Sequence, residues 1–519
     1  MPYHPSFAFA PRTGRRQLSP VTTRTLLLAI SLATATTSLS EEAPANVPAP
    51  LPKADQGPAK AALEKFREGK HSIAIDLARP LAEKGDADAL FLMGFAAETG
   101  QGMVASRDSA LENYKKAINA GHKDAVFRHA LILLNSKDAE DRRAAQTELE
   151  TAAEKDPGNA GRILGEAWMR GTLGQEPDFE KAAEWWKKAA DAGDPTSMLM
   201  LARLYEGGFG FSEKSDPTQS LDYYKKATDL GEVSAYVPYG SRLLNGPPEI
   251  RDEDKGRELL AKAIEEKQIT AYLALGDFEE NVKENPSAAL EQYKAGAEAN
   301  QADCMLRLAS FYLTGKAVEK NEETGREWLV KAVAQGSGAA ALELASRLSQ
   351  DEKPDVQEIY KYLLSASNTG IPAAQNELGL LYVSGNLGLS DPKAGAAWFT
   401  AAAKSAFAAA QSNLGTLYER GMGMEPDYNN AGQLYSLAAN QGHPAATAGL
   451  ARLHAAGLGT DQDLVKAWAL ASLAVERGDE ESKAMLGDLT TRLNTEQIAA
   501  AKKEFELLKK PAEEVPATK

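Results

Sequence analysis

The sequence predicts an all-α chain, an α-solenoid (superhelix) of about twelve antiparallel helix pairs with a ~36-residue repeat. Three observations predict it. Small or turn-forming residues close successive units at Gly85, Gly121, Pro157, Gly193, Gly231, Lys267, Asn300, Gly336, Gly370, Ala406, Gly442 and Gly478, and eight of the eleven intervals between them are 36 residues. A fixed period of this length marks stacked repeats in preference to separate domains. Within each unit, apolar residues recur at helical spacing on both sides of a turn, as with Leu378, Leu381 and Tyr382, then Ala394, Ala397, Trp398 and Ala401. One position of each first helix is always small: Gly94, Ala130, Gly165, Ala202, Gly240, Gly276, Ala309, Ala345, Gly379, Gly415, Ala451 and Gly487. A mid-helix glycine costs about 0.5–1 kcal/mol against alanine, so this pattern predicts a second helix backbone crossing closely at each site.

The N-terminal segment stands apart from the array. Residues 1–40 carry Arg12, Arg15, Arg16 and Arg24, no acidic residue, and an apolar stretch from Leu26 to Leu39. That order reads as a signal peptide. The stretch is too short and too rich in Ser and Thr for a stable membrane span, so cleavage is expected after Ser40, with Ala35 as the alternative site. The Arg15-Arg16 pair lacks the rest of a twin-arginine motif. On this reading residues 41–58 are expected to form a Pro-rich linker, 59–510 the repeat array and 511–519 a disordered tail.

Glycine pairs in the turns (Gly100 and Gly102, Gly421 and Gly423, Gly457 and Gly459) follow helices and lack the Lys-Ser/Thr of a phosphate loop. They read as helix C-caps. Acidic residues outnumber basic ones, 73 to 58, so the surface repels phosphate backbones and nucleic acid is not an expected partner. One cysteine, Cys304, excludes an intrachain disulfide and a multi-cysteine zinc site, and it lies on an apolar helical face as a small hydrophobe. His122, His443 and His454 fall at repeat positions, His129 has no partner at metal-ligand spacing, and no HExxH is present. Trp185, Trp186, Trp328, Trp398 and Trp468 occupy the second helices and Trp168 a first helix, where core packing is expected. No catalytic residue, metal or cofactor is expected.

The stretches LARLYEGG, AAEWWKKAADAGD, LDYYKKATDLGE and LGTLYERGMG, with the closing RLNTEQIAAAKKEF, resemble the Sel-one-like repeat family, a branch of the tetratricopeptide-like solenoids. The resemblance covers nearly the whole chain after residue 58. It implies a protein-binding scaffold whose first helices line a concave groove. Units Lys123–Pro157, Ile269–Gln301 and Gly338–Ile371 lack the turn glycines and are expected to remain helical pairs. Certain secreted relatives bind penicillin or hydrolyse β-lactams, but they are cysteine-rich, and one cysteine weighs against that activity here.

Two positions three residues apart on each first helix share a face and change chemistry from unit to unit. They supply the candidate partner-binding residues Arg128, Glu166, Arg203, Asp277, Arg307, Ser310, Glu343, Glu377, Asn413, Thr416 and Arg452. With these side chains free for a ligand, replacing Arg307, Asn413 and Arg452 together with Ala is expected to leave folding unchanged. The expectation is an exported, non-enzymatic scaffold in the periplasm or outside a Gram-negative-type bacterium. It would bind a protein or peptide of the envelope, without membrane insertion of the mature chain.

Overall fold

Apart from His71–Glu83, each second helix starts where a short polar side chain caps it. Ser106, Asp138, Asp178, Asp216, Asp252, Asn285, Asn321, Asp355, Asp391, Asp427 and Asp463 all accept hydrogen bonds from backbone N–H groups of the first turn. A cap of this kind stabilises by about 1 kcal/mol. At the other end, eleven of the twelve unit-closing positions take a left-handed φ, including the non-glycines Lys267 (62°), Asn300 (65°) and Ala406 (56°). Pro157 is the exception, because it opens the next first helix behind the Asp156 cap. Left-handed backbone strains an alanine, so Ala406→Gly should raise stability by about 0.5–1 kcal/mol in chemical denaturation.

The computed structural model describes residues 57–509, apart from 175, 209–214, 387 and 389. The expected signal peptide, nearly all of the Pro-rich linker and the tail lie outside the described residues. Among these there are 26 α-helices and no strand. The chain is an α-solenoid in two units, one ending at Ala271 and one starting at Tyr272. In the first unit, antiparallel pairs run from Lys60–Arg67 with His71–Glu83 to Tyr236–Asn245 with Glu253–Glu265. In the second they run from Thr270–Asn281, which starts at the boundary, with Pro286–Glu298, to Pro444–Ala456 with Leu464–Glu476, against which the closing helices Ser482–Arg492 and Thr495–Leu508 both pack. The glycine-poor units are helical pairs as expected: Ala125–Leu134 with Ala139–Ala153, Thr270–Asn281 with Pro286–Glu298, and Gly338–Leu348 with Val356–Asn368.

The constant small position has a different cause from the one its pattern suggests. A Cβ added at Gly94, Gly165, Gly276, Gly379 or Gly415 would lie 2.3–2.9 Å from the ring of Tyr114, Trp186, Tyr293, Phe399 or Tyr435, respectively. An aromatic side chain of the same unit's second helix lies over the glycine, and it is the ring, not a crossing backbone, that needs the space. Backbone approach holds at Gly240, where an added Cβ would lie 3.0 Å from the Gly256 carbonyl oxygen, while one added at Gly487 would meet nothing within 4 Å. Those rings fill the interior. Tyr114, Trp186 and Tyr224 in the first unit, and Tyr293, Phe399 and Tyr435 in the second, are fully buried, each contributing about 1.5–3 kcal/mol or more by leaving water.

The turn glycines divide the work. Gly100, Gly315, Gly385, Gly421 and Gly457 are left-handed C-caps. Gly102, Gly423 and Gly459 instead press on the first residues of the preceding unit's second helix, where a Cβ would lie 2.6–2.8 Å from backbone atoms of His71, Lys393 or Tyr428.

Candidate functional site

A set of first-helix carboxylate, second-helix tyrosine and cation of the following repeat recurs four times. In the first unit, Glu98 accepts a hydrogen bond from the buried Tyr114 hydroxyl at 2.6 Å and another from Arg128 at 3.1 Å. Glu206 accepts from Tyr224 at 2.6 Å and pairs with Arg242 at 3.3 Å. In the second unit, the Tyr293 hydroxyl lies 2.8 Å from Asp277 and 2.7 Å from Glu280, and these pair with Arg307 at 3.4 Å and Lys316 at 2.6 Å. Glu419 accepts from Tyr435 at 2.6 Å and from both prongs of Arg452, at 3.0 and 2.8 Å. In each set the carboxylate and tyrosine belong to one repeat and the cation to the next. The sets are inter-repeat ties. Burial, with the neighbouring carboxylate, raises the pKa of Tyr114, Tyr224, Tyr293 and Tyr435, which keeps the hydroxyls protonated as donors.

This arrangement corrects the picture of a wholly free face. Arg128 is buried, over the Phe95 ring at 4.9 Å, and Arg128 with Glu98, Arg307 with Asp277 and Arg452 with Glu419 already tie adjacent repeats. Asn413 donates to Asn376 of the preceding repeat at 2.9 Å, and the Thr416 hydroxyl lies 3.0 Å from that of Tyr435. Glu166 sits between Arg162 at 3.8 Å and Arg170 at 3.9 Å on its own helix, and Glu343 accepts from Arg347 at 2.8 Å. Arg203 and Ser310 are half-buried, and Glu377 is exposed. The sequence reading missed Glu98, Glu206, Glu280 and Glu419, which stand four residues after the small position.

The remaining candidates are packed groups. Cys304 is fully buried against Gly296, and burial pushes its thiol up to about 12. His122 stacks on Phe91 with ring centroids 4.2 Å apart, and burial lowers its pKa. His129 pairs with Glu148 at 2.8 Å, and His443 caps a helix. Trp186 and Trp168 are buried, while Lys188 and Lys331 lie over the rings of Trp185 and Trp328. Among the described residues no three His, Cys, Asp or Glu side chains converge as a metal site, and no helix is long and apolar enough to cross a membrane. An open depression of about 640 Å³ on helix Glu322–Ala334 is lined by that second helix alone.

The Sel1 repeat model matches residues 87–122, 163–194, 195–232, 234–267, 302–337, 372–407, 408–443 and 444–479. It passes over the three units that lack turn glycines. Chitin synthase regulatory factor 3 of Schizosaccharomyces pombe is 29% identical over 300 residues, covering 56% of this chain and 29% of that protein. An uncharacterised protein of Neisseria meningitidis is 25% identical over 306 residues, covering 54% of this chain and 62% of its own. The chain thus spans less than two thirds of either relative. Among solved structures, a protective antigen of uropathogenic Escherichia coli displaying an SLR fold is 23% identical, with coverage of 85% and 95% and a TM-score of 0.48. A Sel1 repeat protein from Oxalobacter formigenes is 24% identical, with coverage of 78% and 96% and a TM-score of 0.36.

Proposed function

The chain belongs to the Sel1 repeat family, and from that premise we propose that it is a scaffold holding a protein or peptide partner on the first-helix face of its repeats. One observation in the second unit carries this reading. The side chains of Asp277, Arg307 and Arg452 are 30, 31 and 40% exposed, yet loss of water is the largest influence on the pKa of each. These groups are held in place by inter-repeat pairs while solvent still reaches them. Polar side chains fixed in such a place can set the register of an extended segment through hydrogen bonds worth about 0.5–1.5 kcal/mol each. The S. pombe relative is by its name a regulatory factor, and regulation by holding a partner needs no chemistry of its own.

Photo-crosslinkers test the face directly. Placed at Ser346 and Thr416 on first helices they should capture a partner in the native extract, and placed at Lys331 and Lys404 on second helices they should not. Equal capture from both sets would put binding on the wrong face. Catalysis is the competing reading, and nitrocefin should remain unhydrolysed by the purified chain.

The site of action we propose is the cell envelope. The arginine-bearing, acid-free leader and its apolar segment support export, with the mature N-terminus near Glu41. N-terminal sequencing of the protein from its producing cell should begin near that residue, and an intact Met1 on the whole population would contradict export.

A further inference from the structure

Every carboxylate on the first-helix row has a cation within 4 Å except one, among the described residues. Glu98, Glu206, Asp277, Glu280 and Glu419 are met from the following repeat by Arg128, Arg242, Arg307, Lys316 and Arg452. Glu166 and Glu343 are met by arginines one turn away on their own helices. Glu377, on helix Pro372–Ser384, has only the neutral amide of Asn376, at 3.3 Å. The place in the next repeat from which Arg128 and Arg307 reach back is filled by Asn413, and that amide is directed to Asn376.

The carboxylate is exposed, yet burial by its surroundings raises its pKa. An ionised Glu377 therefore stands partly desolvated with no countercharge. Three residues along the same helix face, Leu380 leaves 39% of its surface to solvent. An unanswered anion next to an exposed apolar side chain matches a ligand that is cationic at one point and apolar at the next. Arginine or lysine supplies the charge, with arginine's fork the better geometric fit to a carboxylate. The formal charge of -15 favours approach of a basic segment.

We propose that Glu377 and Leu380 dock a polypeptide segment of the partner carrying an Arg or Lys side chain with an apolar residue close by. The partner's cation takes the place at Glu377 that Arg307 and Arg452 fill at Asp277 and Glu419. This rests on the scaffold reading above and names the chemistry of what that face holds.

The probe is a phage-displayed library of random peptides selected on the full chain. Peptides recovered should be enriched in Arg or Lys beside an apolar residue. Glu377→Gln should weaken their binding about tenfold, as expected for loss of an ionised hydrogen-bond partner. Selection on Glu377→Lys should enrich Asp and Glu instead, and unchanged circular dichroism of both variants shows that the fold is kept. If peptides are recovered without basic residues, or bind the Gln variant equally well, the docking assignment is overturned while the scaffold reading stands. Recovery of no peptide above background would overturn both.

Discussion

Replacing Arg307, Asn413 and Arg452 together with alanine should lower the stability of the second unit by about 2–4 kcal/mol. The sequence pattern alone had pointed to no effect on folding. Two of the three losses are charged, the Arg452 hydrogen bonds to Glu419 and the Arg307 ion pair with Asp277, worth about 1.5–3 kcal/mol each in enclosed settings and less here, because Arg307 and Arg452 keep 31 and 40% of their side chains exposed. The third is the neutral contact from Asn413 to Asn376, at about 0.5–1.5 kcal/mol. The ties join adjacent repeats, so hydrogen exchange should rise around helices Thr270–Asn281, Pro372–Ser384 and Ala408–Arg420 and stay unchanged in the first unit. An unaltered denaturation curve would mean that these pairs contribute nothing.

The acid response of the same variant carries a sign. Burial alone would raise the pKa of Glu419, but the hydrogen bonds from Arg452 and Tyr435 outweigh it and hold the pKa below the usual carboxylate value. A depressed folded pKa means stability that is present above the unfolded pKa and lost as pH falls through the folded one. Without Arg452 that loss on acidification should shrink. Asp277 runs the other way, since burial outweighs Arg307 and Tyr293 and raises its pKa, so protonation of this group favours the folded state as pH falls.

Gly379→Leu should cost about 1–3 kcal/mol, and more if the site cannot relax, because its Cβ would lie 2.6 Å from the Phe399 ring edge. Phe399 is fully buried and has no room to withdraw without opening the helix pair. Hydrogen exchange should speed up in Pro372–Ser384, Pro392–Lys404 and their immediate neighbours. Gly487→Ala is the control. Nothing lies within 4 Å of the added methyl and its φ is not left-handed, so the helix should gain about 0.5–1 kcal/mol. Equal losses from both substitutions would show that the ring contact is not what keeps this position small.

The fold was legible because the array repeats its punctuation. The unit-closing residues set the period, and the backbone at them proves left-handed even where Lys267, Asn300 and Ala406 replace glycine, with only Pro157, a helix start, departing from the rule. The small first-helix position was found but misattributed, since a period cannot tell a crossing backbone from a ring. The carboxylate ties were also present in the sequence as an internal correlation. Where the residue eight past the second-helix cap is Tyr114, Tyr224, Tyr293 or Tyr435, the residue four past the small position is Glu98, Glu206, Glu280 or Glu419. Where it is Trp186, Leu260, Leu329, Leu363, Phe399 or Ala471, that position is Met169, Leu244, Leu313, Ser349, Val383 or Ala455. A buried hydroxyl needs an acceptor, which explains the pairing. The cations were not legible as partners, because only Arg128 and Arg307 share a place, two before the small position, while Arg242 stands two after it and Arg452 one after it, and three-dimensional packing brings them all to the carboxylates.

The most direct measurement is hydrogen exchange on the full chain, with and without a basic peptide recovered by selection. Binding on the first-helix face predicts slowed exchange in Pro372–Ser384 and Ala408–Arg420 and none in the second helices Pro392–Lys404 and Tyr428–Asn440. Slowing confined to the second helices, or spread evenly over both, would contradict it.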